Sequence, residues 1–269
     1  MSRGIENRFT HRNAQEFLLE SSERLTDLCY IISMVCRVVP GRLRQIDAGA
    51  GQVVGVSDNN QVYSLQQDAW NRLPGALIHV SVGPAGLWGT SRSNEIFKLV
   101  SGNWTKVPGH LKQLDAGGDQ IIAGVNGADN IYCLGRDSTV GFKGAGSSVS
   151  WQNLPGSLKY YSCGPIGCWG VNANNNVYMM KGVNPVGCGG TMSWTHVSGS
   201  LSMIEVGSDG SIYGVSPGGY IYRREGVTEC NPTGTLWTPV GGGSRYRHVS
   251  YDLGHLWAIR QDGTILDCV

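Results

Sequence analysis

The chain has 269 residues, of which 40 are glycine, 41% are hydrophobic and 15% are charged, with a formal net charge of +1. Glycine without a three-residue period excludes collagen, and this apolar content excludes a disordered chain. The near-neutral charge offers no basic field for nucleic acid, and no apolar run reaches the length of a bilayer span, so neither nucleic-acid binding nor membrane insertion is expected.

Residues 1–35 differ in character from the rest of the chain. They hold no repeat, and Glu16-Phe-Leu-Leu-Glu-Ser-Ser-Glu-Arg24 predicts a short helix. Leu28-Cys-Tyr-Ile-Ile-Ser-Met-Val-Cys36 has the apolarity of a weak signal-peptide core. The residues before it mix acid with base, however, and no small-x-small cleavage site comes after it. This segment is expected to be an atypical leader, with one repeat domain over 36–269.

From Val39 onward one phrase recurs: Val39-Pro-Gly-Arg-Leu43, Leu73-Pro-Gly-Ala-Leu77, Val107-Pro-Gly-His-Leu111, Leu154-Pro-Gly-Ser-Leu158 and Val197-Ser-Gly-Ser-Leu201. A degenerate sixth copy starts near Val240-Gly-Gly-Gly243. The steps between Gly41, Gly75, Gly109, Gly156 and Gly199 are 34, 34, 47 and 43 residues, the period of a four-stranded propeller blade. The two longer steps hold insertions at Gly135–Ser150 and Lys181–Met192. Within the second repeat the strands are Ala76–Val82, Gly86–Gly89, Glu95–Leu99 and Asn103–Val107, rich in β-branched and aromatic residues. The hairpin turns Ser57-Asp-Asn-Asn60, Asn126-Gly-Ala-Asp-Asn130, Asn172-Ala-Asn-Asn-Asn176 and Gln261-Asp-Gly263 carry residues that tolerate positive φ. Helical periodicity is absent from the repeats. The expected fold is all-β: a six-bladed β-propeller of four-stranded antiparallel blades.

The two ends close the ring. Trp70, Trp104, Trp151, Trp194 and Trp237 each open a fourth strand, and Cys36 holds the corresponding place before Val39. Gly263-Thr-Ile-Leu-Asp-Cys268 is a third strand with no fourth after it, so the N-terminal strand is expected to complete the last blade and remove its open edge. Cys36 and Cys268 then sit on neighbouring strands and are expected to pair. Cys163 and Cys168 are placed to close a small loop, the alternative being two buried thiols. The pairing of Cys29, Cys133, Cys188 and Cys230 stays open.

A second period lies inside the first. Repeats two, four and six read Gly83-Pro-Ala-Gly-Leu-Trp-Gly89, Gly164-Pro-Ile-Gly-Cys-Trp-Gly170 and Asp252-Leu-Gly-His-Leu-Trp-Ala258, whereas repeats one, three and five carry Val54, Ala123 and Tyr213 in place of the tryptophan. Trp88, Trp169 and Trp257 are candidate sugar platforms, because a pyranose C–H face packs on an aromatic ring. Packing between blades is the competing expectation, and it is the stronger one for the Trp70 series. Polar sugar partners are sought among the hairpin residues Asp58, Asn60, Asn126, Asp129, Asn172 and Asn174, which also serve simply as turn formers.

Nothing predicts catalysis. The six histidines share no phase in the repeat, and no phosphate-binding glycine loop, nucleophile elbow or HExxH is present. Asp47 and Asp115 fit turn or capping roles. Glu205, Asp209 and Asp252 are the carboxylates that a glycosidase would have to bring together. No cofactor is expected, and calcium is not indicated.

Taken with the repeats, Leu43-Arg-Gln-Ile-Asp-Ala-Gly49, Lys112-Gln-Leu-Asp-Ala-Gly-Gly-Asp-Gln120, Lys159-Tyr-Tyr-Ser-Cys-Gly164, Leu201-Ser-Met-Ile-Glu-Val-Gly207 and Tyr251-Asp-Leu-Gly-His-Leu-Trp257 make the chain resemble the tectonin-type lectins from Cys36 to the C-terminus. The resemblance implies a secreted six-bladed propeller of eggs or plasma. Its expected ligands are sugars of the N-acetylglucosamine type and microbial surface glycans such as lipopolysaccharide and other bacterial cell-surface polysaccharide, in innate defence. The alternative is a protein-interaction propeller acting as an adaptor. A homo-oligomer is compatible with both, and Asn103-Trp-Thr105 is an N-glycosylation acceptor.

Overall fold

A computed structural model describes residues 34–181, 183–184, 187–188 and 193–269. The helix expected at 16–24 lies outside the described residues, as does the leader expected at 1–35 apart from Met34 and Val35. The described chain forms six four-stranded antiparallel sheets; in five of them all sequence neighbours pair, so the blade is a meander, and the sixth takes its outer strand from the N-terminal side. Their inner strands are Gln45–Gly49, His79–Gly83, Gln113–Asp115, Tyr160–Gly164, Met203–Val206 and Tyr246–Asp252, here numbered blades 1 to 6. Blades packed on both faces bury their inner strands almost completely, which explains the run of apolar residues there. One helix, Arg136–Gly141, occupies the insertion of blade 3, a stretch without helical periodicity in its residues.

The ring is sealed as expected. In blade 6, Cys36–Arg42 is the outer strand beside Thr264–Cys268, with Cys36 opposite Cys268, Arg37 opposite Asp267 and Val39 opposite Ile265. The Cys36–Cys268 disulfide joins residues 232 apart in sequence. Beyond it, Val35 and Val269 exchange two backbone hydrogen bonds of 3.0 Å. Arg37 Nε donates to the buried Asp267 carboxylate at 2.9 Å, and the His255 ring meets the same group at 2.7 Å. Cys163 and Cys168 are paired across a hairpin, and Cys133 pairs with Cys188, tying blade 3 to the insertion of blade 4.

The Pro-Gly-x-Leu phrase has a separate use for each residue. The glycine takes positive φ (116°, 84°, 120°, 98° and 137° at Gly41, Gly75, Gly109, Gly156 and Gly199), where a side chain would be strained. It also faces the tryptophan of the following blade: a Cβ on Gly109, Gly156 or Gly199 would lie 2.8 Å from the indole nitrogen. That indole donates to the carbonyl just before the glycine, from Trp104 to Pro74, Trp151 to Pro108, Trp194 to Pro155 and Trp237 to Ser198, at 2.7–2.8 Å. Trp70 departs from this pattern, its indole nitrogen being buried without a partner among the described residues. The leucine is buried against the glycine of its own second strand, as Leu43 is against Gly55 and Leu158 against Gly170. Its backbone N–H bonds the positive-φ residue of the preceding hairpin: Leu77 to Asn60, Leu111 to Asn94, Leu158 to Asp129 and Leu201 to Asn175.

Candidate functional site

Two sets of residues repeat around the ring with chemistry beyond packing. The first lines the axis. At one level of the inner strands the residues are Asp47, Ser81, Asp115, Ser162, Glu205 and Ser250, so acid and hydroxyl alternate from blade to blade. Inner strands of adjacent blades are not paired by backbone, and these side chains bridge them instead. Val82 N–H donates to Asp47 at 2.6 Å, Ala116 N–H to Ser81 at 2.8 Å, Cys163 N–H to Asp115 at 2.8 Å and Val206 N–H to Ser162 at 3.0 Å. Ala48 N–H bonds Ser250, whose hydroxyl donates to Glu205 at 2.9 Å. One level along, Gln45 both accepts from Val80 N–H and donates to its carbonyl, and Gln113 does the same at Tyr161.

Oxygens of Asp47, Asp115 and Glu205 come within 4.8 Å of one another at the base of a cavity of about 370 Å³, which Asp119 and Asp252 also line. They are the one group among the described residues with the spacing of oxygen ligands to a hard cation. Burial, and then the neighbouring carboxylates, push Asp47 and Glu205 well above the ordinary carboxyl range, and burial raises Asp115 as well. Of the glycosidase set, Glu205 and Asp252 share this cavity, while Asp209 is turned to its own loop, accepting from Ser211 N–H at 2.8 Å.

A folded state that holds these protons more tightly than the unfolded chain loses stability as pH rises from about 4, the unfolded carboxyl value, towards the folded ones. His79 and His248, pushed down by burial to about 4 and about 3, act in the opposite sense and lose stability as pH falls below about 6.5. Glu205→Gln keeps the acceptor for Ser250 and removes one charge. In metal-free buffer it is expected to raise stability at pH 7.5 by about 2 kcal/mol, with the gain shrinking towards pH 4.5. Urea unfolding at the two pH values checks this, and a variant less stable than the parent at pH 7.5 would contradict it.

The second set lies at the rim. In blades 3, 4 and 5 a tryptophan, a tyrosine and a polar turn residue build a groove three times, with volumes of about 270, 230 and 290 Å³. Tyr132, Asn126 and Trp151 line the first together with Gly109 and His110. Tyr178, Asn172 and Trp194 line the second, with Gly156 and Ser157, and Tyr222, Ser216 and Trp237 line the third, with Gly199 and Ser200. Each groove therefore joins the Pro-Gly end of one outer strand to the hairpin and aromatic pair of the next blade. Its tryptophan is half-buried and held by the indole-to-carbonyl bond of the repeat. Tyr178 and Trp194 are edge-to-face at 6.5 Å, and Arg224 lies 5.2 Å from the Trp237 ring. The oxygens of Asn126 and Asn172 each accept two N–H groups of their own turn. Among the described residues this leaves their amide nitrogens free, as are the hydroxyls of Tyr132, Tyr178 and Tyr222.

The candidate residues divide accordingly. Asn126 and Asn172 enter grooves. Asp129 shares the hairpin of Asn126 but holds Lys112, Asp58 and Asn60 sit on the equivalent hairpin of blade 1 and hold Arg247 and Arg44, and Asn174 is exposed at a turn tip. Trp88 and Trp169 are wholly buried and Trp257 is 5% exposed, so the alternating tryptophans present no open platform and pack between blades. It is the other tryptophan series, assigned by sequence to structure, that shows a ring edge to solvent. The aromatic residue recurring in the third strand, at Tyr63, Phe97, Tyr132, Tyr178 and Tyr222, was the signal that could have marked the grooves.

The six-bladed ring is a tectonin-type propeller, and the chain belongs to the Tectonin domain family, which it matches over residues 42–261. Among individual relatives, it is 56% identical over 235 residues to Fish-egg lectin of Cyprinus carpio, covering 87% of this chain and 98% of that one. A shorter stretch of 75 residues is 31% identical to the Perivitellin-2 31 kDa subunit of Pomacea maculata, covering 28% of this chain and 26% of that one. Among solved structures, the β-propeller domain of Cps50 (Swd1) from Myceliophteria thermophila superposes with a TM-score of 0.58 at 8% identity, over 87% of this chain and 99% of that one. Virginiamycin B lyase from Staphylococcus aureus does so with 0.54 at 13% identity, over 81% and 77%. At such identities the likeness is one of fold.

Proposed function

We propose that the protein is a secreted, non-enzymatic lectin that binds sugars of the N-acetylglucosamine type on microbial surfaces through the rim grooves, in innate defence. The observation that carries this is the threefold recurrence of one groove with an indole wall, a free phenol hydroxyl and a polar turn residue. A sugar ring needs an apolar surface for its C–H face and hydrogen-bond partners for its hydroxyl and acetamido groups. The kinship with Fish-egg lectin supports the class, and the three disulfides suit an oxidising compartment. Shallow grooves bind weakly one at a time, and several on one rigid ring gain from effective concentration on a repetitive surface.

The test is retention on chitin beads, with release by free N-acetylglucosamine. Combined Tyr132→Phe, Tyr178→Phe and Tyr222→Phe keep the rings and remove only the hydroxyls, and are expected to lower retention at least about tenfold without moving the thermal midpoint. Unchanged retention would remove the grooves from the reading. Failure of the folded, oxidised protein to bind any glycan would remove the lectin itself and leave the adaptor.

A further inference from the structure

Inner strands all run the same way through the ring, so the residue that opens each strand lies at one mouth of the channel and the acidic cavity lies at the other. Arg44, Lys112, Lys159 and Arg247 hold that opening position in blades 1, 3, 4 and 6, and Arg92 is on the adjacent hairpin of blade 2. Asp47 is three residues beyond Arg44, about 10 Å along an extended strand. The cavity around Asp47, Asp115, Asp119, Glu205 and Asp252 has no basic side chain in its lining among the described residues. A chain of net charge +1 is thus split into a basic mouth and an acidic one.

The basic mouth is poorly neutralised. Arg44 donates to Asn60 at 3.1 Å and to the Ile78 carbonyl at 3.0 Å, both neutral acceptors. Arg247 donates to the Leu43 carbonyl at 2.7 Å and meets Asp58 at 3.4 Å, and its Nε is buried with no acceptor among the described residues. Arg92 is exposed and, among the described residues, has neither a hydrogen bond nor an ion pair. The Arg44 guanidinium is held below its ordinary value by burial first, and also by repulsion from Arg247 and Arg92, against the pull of Asp58. Lys112 pairs with Asp129 and Lys159 with the neutral Asn175. Among these residues two carboxylates therefore face five cations.

From this arrangement we infer that the basic mouth is a docking face for acidic glycan chains, with the Arg44–Arg92–Arg247 cluster receiving their sulfate, phosphate or carboxylate groups. Planar guanidinium groups with free N–H donors match such oxyanions in geometry and charge. The inference rests on the lectin reading in one respect: the grooves of blades 3 and 4 open on this same face, since Asn126 and Asn172 belong to the hairpins that carry Asp129 and Asn175. A neutral sugar in a groove and an acidic substituent on the cluster would then belong to one chain. The acidic mouth would point away from an anionic surface, which fixes the face presented to it.

The experiment compares immobilised dextran sulfate with unmodified dextran for the full-length oxidised protein at low salt. Dextran sulfate is expected to bind at least about tenfold tighter, with the advantage falling as salt rises. Arg92→Glu, at an exposed side chain with no partner to lose, is expected to abolish most of that advantage. Lys143→Glu makes the same charge change on the blade 3 insertion and is expected to alter it less than about twofold. Equal binding to the two polymers, or equal losses from the two variants, would overturn the inference. Equally tight binding of a single-stranded DNA oligomer would overturn the choice of glycan as partner. A protein that ignores chitin yet still separates Arg92→Glu from Lys143→Glu on dextran sulfate would sink the rim-groove reading and uphold this one.

Discussion

Replacing Cys36 and Cys268 together by serine is expected to lower the thermal midpoint by roughly 10–20 °C. The bond closes a loop whose ends are 232 residues apart, whereas Cys163 and Cys168 are 5 apart. In the chain-entropy account, a loop of the first size confers about 5 kcal/mol and one of the second about 2 kcal/mol. The outer strand of blade 6 keeps its backbone pairing without the disulfide, so the ring should still form. What changes is the freedom of the unfolded chain, and with it the ease with which that strand peels away. Calorimetry of the oxidised parent, the Cys36/Cys268 double variant and a Cys163/Cys168 double variant decides the matter. Equal shifts for the two pairs would show that loop length is not what counts here.

Gln45→Ala is expected to cost about 2–4 kcal/mol, a large effect for a side chain that touches no ligand. The amide completes both the N–H and the carbonyl of Val80. Both backbone groups are buried on the axial edge of an inner strand, which has a strand on its other side only, so nothing else is in place to take them. Gln66→Ala, at an exposed strand end, should move stability by less than about 0.5 kcal/mol. Urea unfolding compares the two, and faster amide exchange at Val80 should accompany the loss. A Gln45→Ala protein as stable as the Gln66→Ala one would mean that blades are held by packing alone.

The repeat made the architecture legible because each element of its phrase is tied to backbone geometry. Glycine at positive φ, a turn asparagine and a leucine set against a glycine are local demands, and they recur wherever the chain repeats. Cys36 and Cys268 were legible for a related reason: a missing strand at one end and a spare strand at the other leave one arrangement that closes the sheet. The tryptophans were harder. Trp88 and Trp194 both occupy apolar strand positions, and only the packing of one blade on the next decides which ring is covered. Alternation along the sequence reports which side of a sheet a residue takes, not how deep the neighbouring blade reaches. The axial ring was legible only in part: Asp47 and Asp115 belong to first strands and read as capping or turn residues, whereas the N–H groups they accept lie on the next blade. A polar residue at constant phase in six otherwise apolar strands was visible, and its meaning depended on a neighbour one full repeat away. Asp58, Asn60 and Asp129 lie on hairpins where basic side chains from the strand openings engage them, which residue type alone does not report.

The seam in blade 6 also orders assembly in time. Every other blade is a meander of contacts close in sequence and can form as soon as its own residues are available. The strand at Cys36–Arg42 pairs only with Thr264–Cys268, so it must wait, unpaired, while the rest of the ring is made. On a ribosome moving at about 5–20 residues per second, that wait is some ten seconds or more. Throughout it, the strand, of which only Val39 becomes buried, is open to a neighbouring chain, and the Thr264–Cys268 strand of a second copy can fill the place meant for its own. The arrival of Thr264–Cys268 thus decides whether the strand at Cys36–Arg42 closes its own ring or another.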